Sequence, residues 1–389
     1  MQLTLRVASI VVVASHVVSC RPSLESRLAT VEHELQTLVA AAVEGHEKDL
    51  GAALHVDAPR LGLLWEGAAG VADPATCRAM TAALPVLVAS NTKTFISASI
   101  LILQEEGRLD IDDSIAAHLP DEYVELLRGD GYDPHVITIR HLLTHTSGLF
   151  DFADADIYTE EILADPQHRW TRTEQLESAM AWGDPYGVPG EVYRYCDTGY
   201  ILLGEILEQV TGRTMPEAVR ELVGYERLGL DSTWFETLEP RPDGVPDLAH
   251  QFWLGIDVTT IDPSQDLYGG GGLASTVGDL ARFFREVFTG VVYHDAATVD
   301  TMLTTLEVDR AGPGYFGSEL TAGPYRMGVK VSEVAGYTVY SHGGFFGTVG
   351  AYVPDLDLAV GATVNRTESH DALDALVEGS IRVVAGVHP

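Results

Sequence analysis

The chain has 389 residues, 46% of them hydrophobic, which is enough to bury one large core or two subdomains. Its 57 acidic residues outnumber its 24 basic residues, and the resulting formal charge of −33 disfavours nucleic acid and anionic membrane surfaces as partners. The composition therefore indicates a globular protein, and it leaves the oligomeric state open.

The first twenty residues predict an export signal. Arg6 is the only charged side chain before an apolar run at 7–18, and this run is too short to span a bilayer. The segment VVSC (17–20) resembles a bacterial lipobox. We expect residues 1–19 to be a signal peptide, Cys20 to accept a lipid, and the mature domain to cover residues 23–389. Secretion without a lipid anchor and a cytoplasmic location remain alternatives.

The next part of the chain predicts one helix, two strands and a second helix. Residues 23–50 form an amphipathic helical pattern. Strands are predicted over 52–56 and 61–71, joined by the turn DAPR (57–60). A further helix begins at Thr92, carries a wide apolar stripe and is expected to stop at Gly107.

The rest of the chain alternates between a helical region and a second group of strands. Residues 110–260 predict helices and long loops rich in Pro, Asp and Gly. The elements predicted after this region are strands at 325–331, 337–342, 347–353 and 359–364, and a final helix at 371–384. This order predicts an α+β fold, in which an antiparallel sheet is flanked by helices. Its sheet domain (51–109 plus 261–389) contains an inserted, mostly helical domain (110–260), and the cleft between the two is the expected pocket.

The first candidate site is the segment SNTK (90–93), where a valine-rich run becomes a helix. Positions i and i+3 share a helix face, so the Ser90 hydroxyl and the Lys93 amine can meet. Lys93 is one of three lysines, and it is the only charged residue within 89–104. Apolar surroundings disfavour its charged form and favour a basic amine. The motif alone favours a structural interpretation, an N-capping serine and a surface lysine, and the uncharged surroundings of Lys93 argue against it.

Two later motifs strengthen this interpretation. Tyr195-Cys196-Asp197 precedes a predicted helix, and SHGG (341–344) lies on a predicted strand. Together with SNTK, they make the chain resemble the serine β-lactamase and penicillin-binding hydrolase family, in its class C, DD-carboxypeptidase and esterase branch. The segments that carry the resemblance are SNTK (90–93), ITIRHLLTHTSGL (137–149), PGEVYRYCDTGYILLGEILEQVTGR (189–213), GGGGLASTVGDLARF (269–283) and HGGFFG (342–347). The resemblance runs from about Leu61 to Asn365.

The resemblance implies a role for each matching residue. Ser90 matches the nucleophile, and Lys93 matches the amine that helps to deprotonate it. Tyr195 matches a tyrosine that exchanges protons with the nucleophile and the leaving group, and His342 matches a basic residue that faces the substrate. The backbone N–H groups of Ser90 and Phe345 match the oxyanion hole. Such a site works through an acyl-enzyme and implies neither a cofactor nor a metal ion.

Three positions shape the expected substrate and proton network. Asp197 stands where the family most often has asparagine, and an ionised carboxylate only accepts hydrogen bonds. We hypothesise that Asp197 pairs with Lys93, holds it protonated and shifts the role of base toward Tyr195. Gly343, followed by Gly344, stands where carboxylate-binding members usually carry threonine. The loss of that hydroxyl weakens the case for strict recognition of D-Ala-D-Ala or penicillin.

The sequence therefore predicts a serine hydrolase that forms an acyl-enzyme on Ser90. Its expected substrate is a small molecule or peptide: a D-amino-acid peptide, as in a D-Ala-D-Ala carboxypeptidase, or an amide or ester. A carboxylesterase of broad specificity is one alternative. A penicillin-binding sensor that is acylated without turnover is an alternative of another class. Contact with a membrane is expected only through a lipid on Cys20.

Other patterns favour structural explanations. His141 and His145 lie four residues apart but lack the third ligand of a metal site, so packing is the preferred interpretation. The glycine run 269–272 lacks the Lys and Ser/Thr of a phosphate-binding loop and predicts a tight loop beside the cleft. Cys77 and Cys196 show no disulfide spacing and are expected to be free thiols.

Overall fold

The computed structural model describes residues 24–306, 308–310 and 323–387, and the predicted signal peptide and Cys20 lie outside them. The helices of these residues are α1 (Leu24–Ala41), α2 (Thr92–Glu105), α3 (Asp121–Gly129), α4 (Ile139–Leu143), α5 (Asp156–Ala164), α6 (Arg172–Trp182), α7 (Asp197–Thr211), α8 (Met215–Val223), α9 (Tyr225–Leu228), α10 (Val277–Phe288), α11 (Thr298–Met302) and α12 (His370–Ala385). The strands are β1 (Gly51–Ala58), β2 (Leu63–Asp73), β3 (Arg78–Ala79), β4 (Val86–Leu87), β5 (Val192–Tyr193), β6 (Trp234–Phe235), β7 (Phe252–Trp253), β8 (Ile256–Asp257), β9 (Leu273–Ser275), β10 (Asp309–Arg310), β11 (Lys330–Val334), β12 (Tyr337–Gly344), β13 (Thr348–Val353) and β14 (Leu358–Val364).

The main sheet has seven strands in the order β11-β12-β13-β14-β1-β2-β3, and its strand pairs are antiparallel. Strand β1 therefore lies between its neighbour in sequence, β2, and the last strand of the sheet, β14. The early and late parts of the chain build one sheet, as the sequence predicted, and the α+β fold with an antiparallel sheet flanked by helices is confirmed.

The sheet buries apolar side chains on both of its faces. On one face, Leu54 of β1 packs with residues of α1 and α12, including Leu35 and Ile381. On the other face, Ala53 belongs to the larger core that contains α2 and α10. Successive side chains of a strand point to opposite faces, so this alternation fixes the register of β1 between two apolar layers.

Helix α10 packs closely on the sheet because two paired glycines leave room for it. Gly350 of β13 and Gly361 of β14 face each other across the strand pair. A Cβ atom on Gly350 would overlap the ring of Phe284, and one on Gly361 would overlap the carbonyl oxygen of Val277. Both obstacles belong to α10, so the absence of two side chains sets the distance between helix and sheet.

Replacing Gly361 with alanine is expected to lower the free energy of unfolding by roughly 1–3 kcal/mol, because the added methyl group overpacks this contact. Chemical denaturation of the purified protein measures the change. Gly129→Ala is the matched control, since a Cβ atom there meets no other atom within 4 Å. Equal unfolding free energies for the two variants would contradict the proposed close contact.

Helix α2 runs through the centre of the molecule. It begins at Thr92, as predicted, and every side chain from Thr92 to Leu103 is buried. It ends at Glu105, and Gly107 follows with a φ of 66°, a left-handed conformation that glycine adopts without strain. The fully buried helix places Lys93 deep in the protein.

Two predicted elements differ from the observed ones. Helix α1 stops at Ala41 instead of Leu50, because the chain then makes turns that include Gly45 at a φ of 78°. The strand predicted from Tyr325 begins only at Lys330, because Gly328 adopts a φ of 75° and the Arg326 N–H donates to the Val329 carbonyl in a turn. The pattern of polar and apolar residues continues through both turns, so it did not show where the helix ends or where the strand begins.

Within the described ranges, no helix combines the length and apolar character needed to cross a membrane. The division into a sheet domain and an inserted helical domain remains a prediction.

Candidate active site

Ser90 lies in a single tight turn between a strand and the central helix. The 3₁₀ turn Ala89–Asn91 follows β4 and leads directly into α2, and Ala89 adopts a φ of 44°. Strand β4 is held by β9, and the Val88 N–H donates to the Leu273 carbonyl at 2.9 Å. The first N–H groups of such a turn have no partner within the helix, so they suit a developing oxyanion beside the serine.

The residue after the serine, Asn91, ties this turn to the main sheet. Its amide nitrogen donates to the Val88 carbonyl at 2.9 Å and to the Thr348 hydroxyl at 3.1 Å. Its carbonyl oxygen accepts from the Gly350 N–H at 3.0 Å. Asn91 is fully buried, and the sequence alone did not single it out.

Lys93 is fully buried and is surrounded by three acceptors. Its Nζ lies 3.0 Å from the Ser90 Oγ and 2.6 Å from the Gly270 carbonyl oxygen, and it forms an ion pair with the Asp197 carboxylate. The carbonyl and the carboxylate can only accept, so they take two of the lysine hydrogens. The remaining position points to Ser90, where an ammonium form donates and an amine form accepts the serine proton.

Asp197 is the first residue of α7, and the carboxyl groups of Asp151 and Asp266 lie near it. Its N–H donates to the Oδ2 of Asp151 at 3.0 Å. Burial, and then the charge of Asp197, raise the pKa of Asp151 well above its usual range. The same two causes raise the pKa of Asp266 to about 7. Asp197 is therefore the counter-ion of Lys93, and burial disfavours a second negative charge on Asp151. The pairing hypothesised from the sequence is present in the structure.

Tyr195 approaches Ser90 from the segment before α7. Its hydroxyl lies near the Ser90 side chain, which lowers the pKa of the phenol, and its ring centroid lies 4.9 Å from the Lys93 Nζ. Burial raises the pKa of Tyr195 well above its ordinary value, so the phenol stays protonated. A protonated phenol can pass a proton along a hydrogen bond, but it is a poor permanent base. The geometry therefore favours Tyr195 as a relay rather than as the base of the hypothesis.

His145 packs against the segment that carries Tyr195. The rings of His145 and Tyr195 lie 4.2 Å apart, and the His145 Nδ1 accepts from the Cys196 N–H at 3.1 Å. The His145 carbonyl also accepts from the Arg194 N–H at 2.9 Å. These contacts place His145 in a packing role, whereas His141 caps helix α4 by accepting from the Thr138 N–H at 3.1 Å.

His342 lies near Tyr195, with their ring centroids 6.4 Å apart, and its two ring nitrogens have other partners. Its Nδ1 is 2.8 Å from the Gly343 carbonyl, which can only accept, so Nδ1 carries the proton. Its Nε2 lies 3.1 Å from the Tyr325 hydroxyl, which then donates. Burial lowers the pKa of His342 well below its usual value, so the ring is neutral. His342 is not among the residues that line the cavity, and its role toward the substrate remains a prediction.

The end of β12, which follows His342, brings a second backbone segment close to the turn that carries Ser90. A Cβ atom on Gly344 would overlap the Val88 carbonyl oxygen and the Thr348 hydroxyl, so only glycine allows this approach. Phe345 follows and lines the cavity beside Ser90. This arrangement agrees with the predicted oxyanion hole, whose two N–H groups remain a prediction.

Gln251 holds these two segments together, and the sequence did not indicate it. It is fully buried, and its Oε1 accepts from the Leu87 N–H at 2.8 Å. Its Nε2 donates to the Leu87 carbonyl at 3.0 Å and to the Phe346 carbonyl at 2.9 Å. One side chain thus fixes the segment before Ser90 relative to the segment after Phe345.

The glycine run 269–272 forms the tight loop beside the cleft that the sequence predicted. Gly269 and Gly272 have φ values of 123° and 99°, which side chains rarely adopt. A Cβ atom on Gly270 would lie 3.4 Å from the Asp197 carboxylate, and one on Gly271 would overlap the Asp266 carboxylate. The loop therefore admits two acidic side chains while offering a carbonyl to Lys93.

Ser90, Tyr195 and Asp197 open into a cavity of about 740 Å³, counting the space open to solvent. Most of its wall is apolar or aromatic. The other lining residues are Phe152, Ala153, Tyr158, Thr159, Ile162, Trp253, Val258, Ile261, Gln265, Asp266, Phe345 and Phe346. A wall of this kind suits a substrate with an apolar or aromatic group next to its reacting carbonyl.

The two cysteines that the structure describes form no disulfide bond. Cys77 is exposed, Cys196 is buried, and both are free thiols. Within the residues that the structure describes, no group of three His, Cys, Asp or Glu side chains is placed to hold a metal ion.

A buried lysine on a serine at the start of a central helix, with a tyrosine in the same cavity, is the arrangement of a serine hydrolase. The fold agrees with this class, because the pair lies where an antiparallel sheet meets helices and opens into a single cavity. The family model named Beta-lactamase matches residues 36–380. The chain therefore belongs to the Beta-lactamase family, whose members are serine hydrolases.

Individual relatives agree with this family. The D-stereospecific amidohydrolase from a Streptomyces species is 25% identical, with a TM-score of 0.73 over 92% of this chain and 99% of that one. An Escherichia coli K12 protein named "Putative D-alanyl-D-alanine carboxypeptidase" is 28% identical over 312 residues, which are 72% of this chain and 69% of the relative. Protein flp of Staphylococcus aureus strain MW2 is 31% identical over 134 residues, 34% of this chain. That match spans only a quarter of the relative's own length, 25%.

Proposed function

We propose that the protein hydrolyses amides or peptides of D-amino acids through an acyl-enzyme on Ser90. The observation that carries the proposal is the contact of 3.0 Å between the Ser90 Oγ and the buried Lys93 Nζ, at the edge of an apolar cavity. The preference for D-amino acids draws on the names of the Streptomyces and Escherichia coli proteins to which the chain is similar.

In the proposed acylation step, the Ser90 Oγ attacks the carbonyl carbon of the substrate. Its proton moves to the Lys93 amine, whose other two hydrogens are held by Gly270 and Asp197. The N–H groups of Ser90 and Phe345 stabilise the negative oxygen of the tetrahedral intermediate. The bond from carbon to the leaving nitrogen then breaks, and Tyr195 relays a proton to that nitrogen. Water attacks the resulting ester by the reverse route and regenerates Ser90.

The proposal is tested with D-phenylalanine amide, L-phenylalanine amide and D-Ala-D-Ala, with the Ser90→Ala variant as control. We expect release of D-phenylalanine, a slower reaction with the L isomer, and an acyl group on Ser90 in mass spectra. A Ser90→Ala protein that keeps its turnover would overturn the mechanism. Cleavage of D-Ala-D-Ala in preference to the amide would favour a carboxypeptidase instead.

Ester hydrolysis is the second candidate function, because the wall of the cavity is largely apolar and position 343 offers no hydroxyl to a substrate carboxylate. The substrate p-nitrophenyl butyrate tests it. Turnover of this ester without turnover of either amide would assign the protein as an esterase. Trapping of a fluorescent penicillin on Ser90 without release would instead favour the sensor.

Export of the protein, with a lipid on Cys20, stays a proposal that accompanies this function. Its support is the apolar segment and the VVSC motif described above.

A further inference from the structure

The charged groups that line the cavity are both acidic. Asp197 and Asp266 contribute carboxylates, and no Lys, Arg or His is among the lining residues. The nearest basic group described here, Lys93, is already paired with Asp197. After this pairing, the negative charge that remains for a ligand is that of Asp266.

The Asp266 carboxyl group lacks a polar partner in the part of the chain that the structure describes. The charges that act on it are those of Asp197 and Lys93, and no hydrogen bond contributes to its pKa, which burial raises to about 7. The carboxyl group lies directly above the backbone of Gly271, which has no side chain to displace it. A half-buried carboxylate in a substrate cavity gains most from a positively charged donor.

We propose that Asp266 binds the ammonium group of the substrate and thereby selects amides and esters of amino acids whose amino group is free. This inference deepens the proposed function, because it assumes that the Ser90 cavity is where the substrate binds. A free carboxylate on the substrate would meet two acidic groups and no free cation. The cavity thus disfavours peptides whose scissile bond lies next to a C-terminal carboxylate.

The aromatic part of the wall complements this charge. Phe152, Tyr158 and Trp253 line the same cavity as Asp266 and Ser90. A substrate with an ammonium group and an apolar side chain on one carbon atom can satisfy both parts of the cavity while its carbonyl reaches Ser90. The substrate class that fits is the amide or ester of an apolar or aromatic amino acid.

The test compares two substrates that differ only in the ammonium group, D-phenylalanine p-nitroanilide and 3-phenylpropionic acid p-nitroanilide. The measured quantity is the ratio of their kcat/KM values in the wild-type protein and in the isosteric Asp266→Asn variant. We expect the wild type to prefer the amino substrate and the variant to lose roughly 10- to 100-fold of that preference, the range for a hydrogen bond to a charged group. Glu161→Gln is the control, since it removes an exposed carboxylate of α5 that does not line the cavity.

Direct binding makes the result independent of turnover. Calorimetry compares 2-phenylethylamine with 2-phenylethanol on the same three proteins, and thermal unfolding verifies that each is folded. Tighter binding of the amine that disappears in Asp266→Asn alone supports the inference, even if no amide is cleaved and the proposed function fails. Equal affinity for amine and alcohol in the wild type, or the same loss in Glu161→Gln, overturns it.

Discussion

Replacing Lys93 with methionine is expected to lower kcat/KM by roughly 10³- to 10⁴-fold, the upper range for the loss of a positioned general base. Methionine keeps an unbranched chain of similar length, so the packing of helix α2 changes little. The variant lacks the only nitrogen that lies between the Ser90 hydroxyl, the Gly270 carbonyl and the Asp197 carboxylate. Ser90 would then have no group to receive its proton. Steady-state hydrolysis of the best substrate in the panel measures the effect.

The same variant leaves Asp197 without its counter-ion, so its stability must be measured beside its activity. Removing one partner of a buried ion pair destabilises a protein by roughly 3–5 kcal/mol. The double variant Lys93→Met/Asp197→Asn removes the unpaired charge, and it should recover stability without recovering activity. Activity within tenfold of the wild type in either protein would show that Lys93 is not the base.

Replacing Asp197 with asparagine is expected to shift the acid limb of the pH–rate profile to lower pH. The carboxylate forms an ion pair with Lys93 and favours the ammonium form of the lysine, which has no lone pair for the Ser90 proton. A neutral amide favours that ammonium form less, so the active amine form exists at lower pH. The measurement is kcat/KM across the pH range in which the protein stays folded.

Asp151→Asn is the matched control for this shift. Asp151 lies beside Asp197 and is fully buried, and burial raises its pKa well above its usual range, which favours its neutral form. Its replacement by a neutral amide should leave the acid limb in place. An unchanged acid limb in Asp197→Asn, or an equal shift in both variants, would disprove the link between the Asp197 charge and the lysine.

The sequence predicted those parts of the site that depend on local geometry. Ser90 and Lys93 meet because they are three residues apart at the start of a helix, and this follows from helical geometry alone. The contact of Asp197 with Lys93 was inferred because this chain has aspartate where the family most often has asparagine. The contribution of both ends of the chain to one sheet followed from the strand patterns there.

The remaining parts depend on contacts between distant segments, which carry no local signal. Asn91 and Gln251 are buried polar residues whose partners lie in other strands. Asp266 is one acid among many, and only the folded glycine loop places it in the cavity. The contact between His342 and Tyr325 could not be predicted, because it depends on where a distant turn brings that tyrosine.

The hydrogen bond between Asn91 and Thr348 joins residues that are 257 positions apart. The ribosome therefore makes the nucleophile early, and the strand that holds its turn in place only much later. Closing so long a loop slows folding, because its entropy must be lost before the contact stabilises the chain. A growing chain thus carries Ser90 for most of its synthesis without the support that orients it, and the hydrolase acquires its reactive serine only when the sheet is nearly complete.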